Sequence, residues 1–184
     1  VLQEGHYENN LEEGLWQSYY ETGKKMDIGF YKSGKMNGKW EGYYPNGKAK
    51  YTGEWKWDTK VGTWSYWNEK GVIEKLETFN QEGKLEGWNV MYNPQGKSVS
   101  EGNFKDGKPD GHWVYRYPFG SLLRTCGYKD GELDGEVIQY GEKGNILMIS
   151  HYKAGKKHGK EIVYDEKSGR EMKRVMYKNG VKYK

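Results

Sequence analysis

The sequence predicts an all-β chain: an elongated, single-layer antiparallel meander of β-hairpin repeats, about seven and a half copies of 24 residues, with residues 1–184 forming one array. Three series of residues predict it. One glycine recurs at Gly14, Gly38, Gly62, Gly87, Gly111, Gly135 and Gly159, and a second at Gly23, Gly47, Gly71, Gly96, Gly120, Gly144 and Gly169. An aromatic recurs at Tyr7, Tyr31, Trp55, Phe79, Phe104, Tyr128, Tyr152 and Tyr177. Every spacing within the two glycine series is 24 or 25 residues, which chance does not produce twice over.

Taken in order, each copy reads as two strands and two turns. In the second copy, Tyr31-Lys32-Ser33-Gly34-Lys35 ends one strand in a glycine turn. Gly38 to Tyr44 forms the next, and Pro45-Asn46-Gly47 closes it. Proline presets φ, asparagine tolerates the left-handed region and glycine enters it without steric cost, so this tripeptide is a turn with a mechanism. The other connection recurs as Lys105-Asp106-Gly107, Lys129-Asp130-Gly131 and Lys178-Asn179-Gly180, the signature of a tight hairpin. Short connections make consecutive strands antiparallel neighbours, giving around fifteen strands in all. One turn, Trp57-Asp58-Thr59-Lys60, lacks the glycine and reads as lengthened.

Alternation sorts the side chains. Tyr51, Gly53, Trp55 and Trp57 share one face with Ala49; Trp40 and Tyr44 share a face with Gly42, and Tyr43 takes the opposite one. A glycine beside a ring leaves room for a ring of the next repeat, and that is the use the sequence suggests for the recurrent glycines. No helical period persists, so nothing covers the sheet, and ring-on-ring contacts must stabilise it, each worth about 0.5–1.5 kcal/mol beyond area burial. The composition agrees: hydrophobic residues are only 34%, yet 8 Trp and 17 Tyr concentrate the burial available in rings.

Charge and rare residues exclude several function classes. The formal net charge is +4, with 11 Lys/Arg against 4 Asp/Glu from Lys153 onward, but these cations are scattered among turns and no nucleic-acid motif accompanies them. One cysteine, Cys126, allows neither an internal disulfide nor a cysteine zinc site, and it reads as a small inward residue. His6, His112, His151 and His158 never fall at ligand spacing, so no metal is expected. No carboxylate pair, nucleophile or phosphate loop stands out; the chain reads as non-catalytic and without a cofactor. There is no apolar run near 18 residues, and Val1 leaves room for a removed leader.

Trp40, Trp55, Trp57, Trp64 and Trp67 crowd into 28 residues. Trp40, Trp55 and Trp64 sit in the packing register, whereas Trp57 stands at a turn and Trp67 where the previous copy has Tyr43. Aromatics outside the packing register anchor interfaces at low entropy cost, so Tyr43, Trp57, Trp67, Tyr92 and Tyr115 are the candidate partner contacts. Their facing rests on alternation, and for Tyr115 it is open.

Tyr51-Thr52-Gly53-Glu54-Trp55 resembles the Y-x-G-x-W core of MORN repeats, and Gly34 to Lys48 is similar to the bacterial MORN variant. The likeness covers essentially the whole chain. It implies a β-hairpin array with a binding or scaffolding role, and for the bacterial variant an antitoxin or immunity-like partner of a toxin, in the cytoplasm or cell envelope. The sequence departs from the pattern where Glu77, Cys126, Ser150 and Val175 replace the glycine of Gly29, Gly53 and Gly102, and where Val137 and Glu161 replace the Trp40 residue. Two rivals remain: a cell-wall module whose rings cage choline or a glycan, and a peripheral binder of anionic membranes through the basic C-terminal part. Open sheet ends also allow oligomers.

Overall fold

A computed structural model describes residues 2–183. Among them there are seventeen strands and no helix. Contacts gather into two units, one of residues up to Glu86 together with Pro94–Gly96, the other of Gly87–Asn93 and residues from Lys97 onward. The first unit holds β1 (Leu2–Glu8), β2 (Leu11–Tyr19), β3 (Lys25–Lys32), β4 (Lys35–Met36), β5 (Gly38–Tyr43), β6 (Ala49–Lys56), β7 (Thr59–Trp67) and β8 (Ile73–Phe79). The second holds β9 (Gly87–Tyr92), β10 (Ser98–Lys105), β11 (Lys108–Arg116), β12 (Leu122–Lys129), β13 (Glu132–Tyr140), β14 (Ile146–Lys153), β15 (Lys156–Tyr164), β16 (Glu171–Lys178) and β17 (Val181–Lys182). Within each unit successive strands pair antiparallel, as the expected meander requires. The count exceeds fifteen partly because Asn37 interrupts one strand into β4 and β5.

One of the two alternating sets of hairpins turns on two residues, both at positive φ: Asn9-Asn10, Ser33-Gly34, Asp106-Gly107, Asp130-Gly131, Ala154-Gly155 and Asn179-Gly180. Primed turns of this kind match the twist of the strands they join. The Trp57 turn is not lengthened. Lys56 pairs with Thr59, so Trp57 (φ 52) and Asp58 (φ 65) occupy the same two positions as in the other copies. The longer loop lies one repeat on, at residues 80–84 between the paired Phe79 and Leu85.

The glycines divide into two classes with different physical jobs. Gly62 adopts φ 65 inside β7, and a Cβ there would meet nothing within 4 Å. It sits where the β6–β7 register slips between Thr52 and Glu54, so glycine serves a bulge that needs positive φ, not a space for a ring. The same holds for Gly14, Gly111 and Gly135. The room for rings comes instead from Gly5, Gly29, Gly53 and Gly102, where a Cβ would lie 2.1–2.3 Å from Trp16, Trp40, Trp64 and Trp113 respectively. The expectation that the bulge series makes that room is therefore corrected.

Paired residues share a face, so a single buried row can be followed across each unit. In the first it places Trp16 beside Gly29, Trp40 beside Gly53 and Trp64 beside Glu77. In the second it runs Gly102, Trp113, Cys126, Val137, Ser150, Glu161, Val175. The recurrent aromatics meet these tryptophans edge-on: Tyr7 on Trp16 at 5.0 Å, Tyr31 on Trp40 at 5.3 Å, Trp55 on Trp64 at 5.2 Å and Phe104 on Trp113 at 5.1 Å. Edge-to-face pairs suit the ring quadrupoles. This ring face is the core.

Candidate functional site

The ring face carries the chain's own cations at two registers. The first lies two residues before the bulge glycine and reads Glu12, Met36, Lys60, Leu85, Pro109, Leu133 and Lys157 along the chain, so only its third and seventh members bring an ammonium. Lys60 places its Nζ 4.3 Å from the Trp64 ring centre and donates to Tyr66 Oη at 2.9 Å, with Trp55 and Phe79 within 6 Å. Burial lowers the Lys60 pKa, while the Glu77 carboxylate opposes that shift. Lys157 donates to Glu161, which stands where Trp64 stands in its copy. That hydrogen bond holds the Lys157 ammonium above the ordinary lysine range. Ser150 Oγ also donates to the buried Glu161 carboxylate at 3.3 Å.

The second register lies two residues before the ring-accommodating glycine or its replacement. Lys75 stands 4.4 Å over the Tyr66 ring, and Arg124 stands 4.2 Å over Tyr115. In the first two repeats both registers change sign. Glu12 occupies the Lys60 place and Asp27 the place of Lys75 and Arg124. Together with Trp16, Tyr31 and Trp40 they line a cleft of about 200 Å³ on the ring face of the first unit. Tyr51 and Tyr66 both stack on Trp64, at 5.8 and 6.1 Å, but the residues that correspond to Tyr66 beside Trp16 and Trp40 are Ser18 and Gly42. Ser18 lines the cleft, whereas the space over Gly42 is taken by the Tyr51 ring, 2.2 Å from where a Cβ would lie.

Its polar groups are partly committed. Asp27 accepts from Tyr51 Oη at 2.6 Å and from Ser18 Oγ at 3.3 Å. Burial, followed by the Glu12, Asp58 and Asp27 carboxylates, raises the Tyr31 pKa. Trp40, Trp64 and Trp113 donate their indole N–H groups to the carbonyls of Phe30, Glu54 and Asn103. Trp16, also a cleft residue and only 8% exposed, leaves its buried Nε1 without an acceptor.

Of the five contacts expected from sequence, Tyr43, Trp57 and Trp67 lie in the first unit and do not form one patch there, and Tyr92 and Tyr115 lie in the second. Trp57 is 45% exposed at its turn, with Lys32 Nζ 5.8 Å from its ring. Tyr43 and Trp67 are half-buried at the other end of their strands, and Tyr43 Oη donates to Glu41 at 2.5 Å. Tyr92 is half-buried in the second unit, where it pairs with Ser98. Tyr115 lies on the ring face, stacked on Trp113 at 6.0 Å beneath Arg124, which settles its facing. Sequence reasoning passed over Glu12, Asp27, Lys60 and Lys157. Their signal was a charge at a fixed distance from a recurrent glycine, visible once the copies are aligned. Among the described residues, no group of three or more His, Cys, Asp and Glu could hold a metal ion.

The MORN repeat variant matches residues 12–35, 36–57 and 133–154. Three segments are thus MORN-like. They fall in both units, and MORN repeats are generally associated with protein or membrane-lipid binding. No curated protein matches the chain.

Proposed function

We propose that the chain is a non-catalytic protein-binding module that covers a partner's surface, in the manner of an immunity or antitoxin protein acting on a toxin. Trp57 carries this reading. Other copies fill its turn position with Asn9, Ser33, Asp106, Asp130, Ala154 or Asn179, and the polar ones among these favour the left-handed region. A tryptophan is disfavoured there by its backbone, and its contact with Lys32 is a long one at a half-exposed ring. Asp58 fixes the turn by accepting from the Met36 amide at 2.8 Å, so the exposed indole stands on a rigid support. An aromatic presented at low ordering cost is the usual anchor of a protein interface. The toxin-directed part of the proposal draws on the MORN variant resemblance.

The test is coexpression with the product of the neighbouring gene, followed by capture and a toxicity assay. The native chain should bind and protect, and Trp57→Ala should lose both while melting as before. Retained protection in that variant would remove Trp57 from the interface. A choline or glycan module is the weaker reading, because Lys60 already occupies the ring cluster around Trp64. Membrane binding has one observation in its favour: exposed Lys153, Lys156, Lys160, Lys173 and Lys178 lie near exposed Met172 and Val181 in sequence. Sedimentation with anionic liposomes that salt abolishes would support it.

A further inference from the structure

We propose that the cleft bounded by Glu12, Asp27, Trp16, Tyr31 and Trp40 receives an arginine side chain from a protein partner. The proposal rests on the protein-binding reading but concerns a different surface from Trp57. The molecule displays the chemistry its ring face accepts. Lys60 reaches Trp64, Lys75 reaches Tyr66, Arg124 covers Tyr115, and Lys157 pairs with Glu161 beside Tyr177. These cations come from two registers, and in the cleft both registers hold carboxylates. Among the described residues, no Lys, Arg or His lines it. Asp27 accepts hydrogen bonds from Tyr51 and Ser18, but among the described residues neither carboxylate meets a cation of the chain within the cleft.

Size and geometry select an arginine. A cleft of about 200 Å³ is smaller than the roughly 300–1,000 Å³ of sites for free small ligands, and it suits the end of a side chain. A guanidinium stacks on aromatic faces and forks onto carboxylates, which an ammonium does less well. Arg124 over Tyr115 shows the stacked half of that arrangement within this chain. The indole N–H of Trp16 is buried without an acceptor, unlike those of Trp40, Trp64 and Trp113, which marks this wall of the cleft as less completely paired than its equivalents.

The experiment follows the indole N–H resonances of Trp16 and Trp40 during titration of the full chain with an acetylated Gly-Arg-Gly amide peptide. A Gly-citrulline-Gly peptide serves as the neutral control. Saturable shifts are expected with arginine, with affinity about tenfold weaker or worse for citrulline. Glu12→Lys should abolish the response by filling the cleft as Lys60 fills the third repeat, and Asp27→Asn should weaken it about fivefold or more. Melting curves establish that both variants are folded. Equal responses to the two peptides, an unchanged response in folded Glu12→Lys, or tighter binding of choline than of the arginine peptide would each overturn the proposal. Arginine binding without capture of a neighbouring gene product would leave the cleft standing and remove the immunity reading. Capture without an arginine response would do the reverse.

Discussion

The first unit fills its buried row with tryptophans set beside glycines; the second, from β12 onward, fills the same row with Cys126, Val137, Ser150, Glu161 and Val175. Where the indole goes, the glycine goes with it. The row therefore keeps the combined size of neighbours, and residue identity is free to vary within that sum. The opposite face changes too. It pairs Gln17 with Ile28 and Glu41 with Thr52 in the first unit, but Ile138 with Ile149 and Ile149 with Ile162 in the second. The second unit shifts apolar burial from rings on one face toward β-branched pairs on the other, which suits strand geometry.

The largest expected effect breaks the first unit's pattern. Gly53→Val puts a branched side chain where even a Cβ would lie 2.1 Å from Trp64, and should cost about 4 kcal/mol or more in chemical denaturation. A loss under about 1 kcal/mol would show that Trp64 moves freely and that the row is not close-packed. The coupling itself is measured by copying the second unit's solution into its first tryptophan. Gly102→Cys and Trp113→Val should each cost about 3 kcal/mol, and the double variant should cost at least about 1 kcal/mol less than their sum. Additivity would sink the idea of compensated pairs.

The Lys157–Glu161 pair offers a smaller effect. Lys157→Met leaves a buried carboxylate without its cation and should cost about 2 kcal/mol, allowing for the partial exposure of the lysine; adding Glu161→Leu should recover most of it. Alkali gives a second comparison. Burial raises the pKa of Tyr51, with the Asp27 bond adding to it, and burial likewise raises Tyr66 and Tyr128. A phenol raised in the folded state contributes fully below its unfolded value and loses that contribution as pH climbs past it, so stability should fall above about pH 10. Tyr51→Phe should make the fall shallower. The smallest expected change is a gain: Trp57→Gly removes a bulky residue from the left-handed region and should stabilise by about 1 kcal/mol.

Strand order, antiparallel pairing and both turn types were legible because they depend on local chemistry: Pro45-Asn46-Gly47 and Asp106-Gly107 announce turns without knowledge of their neighbours. The role of Gly62 was not, because positive φ and close packing both demand glycine and only coordinates separate them. The Trp57 turn misled for a related reason, since its sequence lacks the glycine that its backbone nonetheless imitates. The cleft was invisible residue by residue. Glu12 and Asp27 look like ordinary solvated acids until the lysines and arginine at their registers in other copies are seen on the rings.

The turns are stitched together as well as the strands. Gly34 donates its amide to the Glu12 carbonyl, Gly131 to Pro109 and Gly155 to Leu133, while Tyr20 and Tyr44 reach the carbonyls of Tyr43 and Trp67 at the other margin. Each of these ties spans about one repeat and no further. Contacts of such short sequence separation form quickly, before distant parts of a chain need to meet. A hairpin leaving the ribosome thus finds its docking surface already made by the hairpin before it, and the protein can assemble in the order in which it is translated.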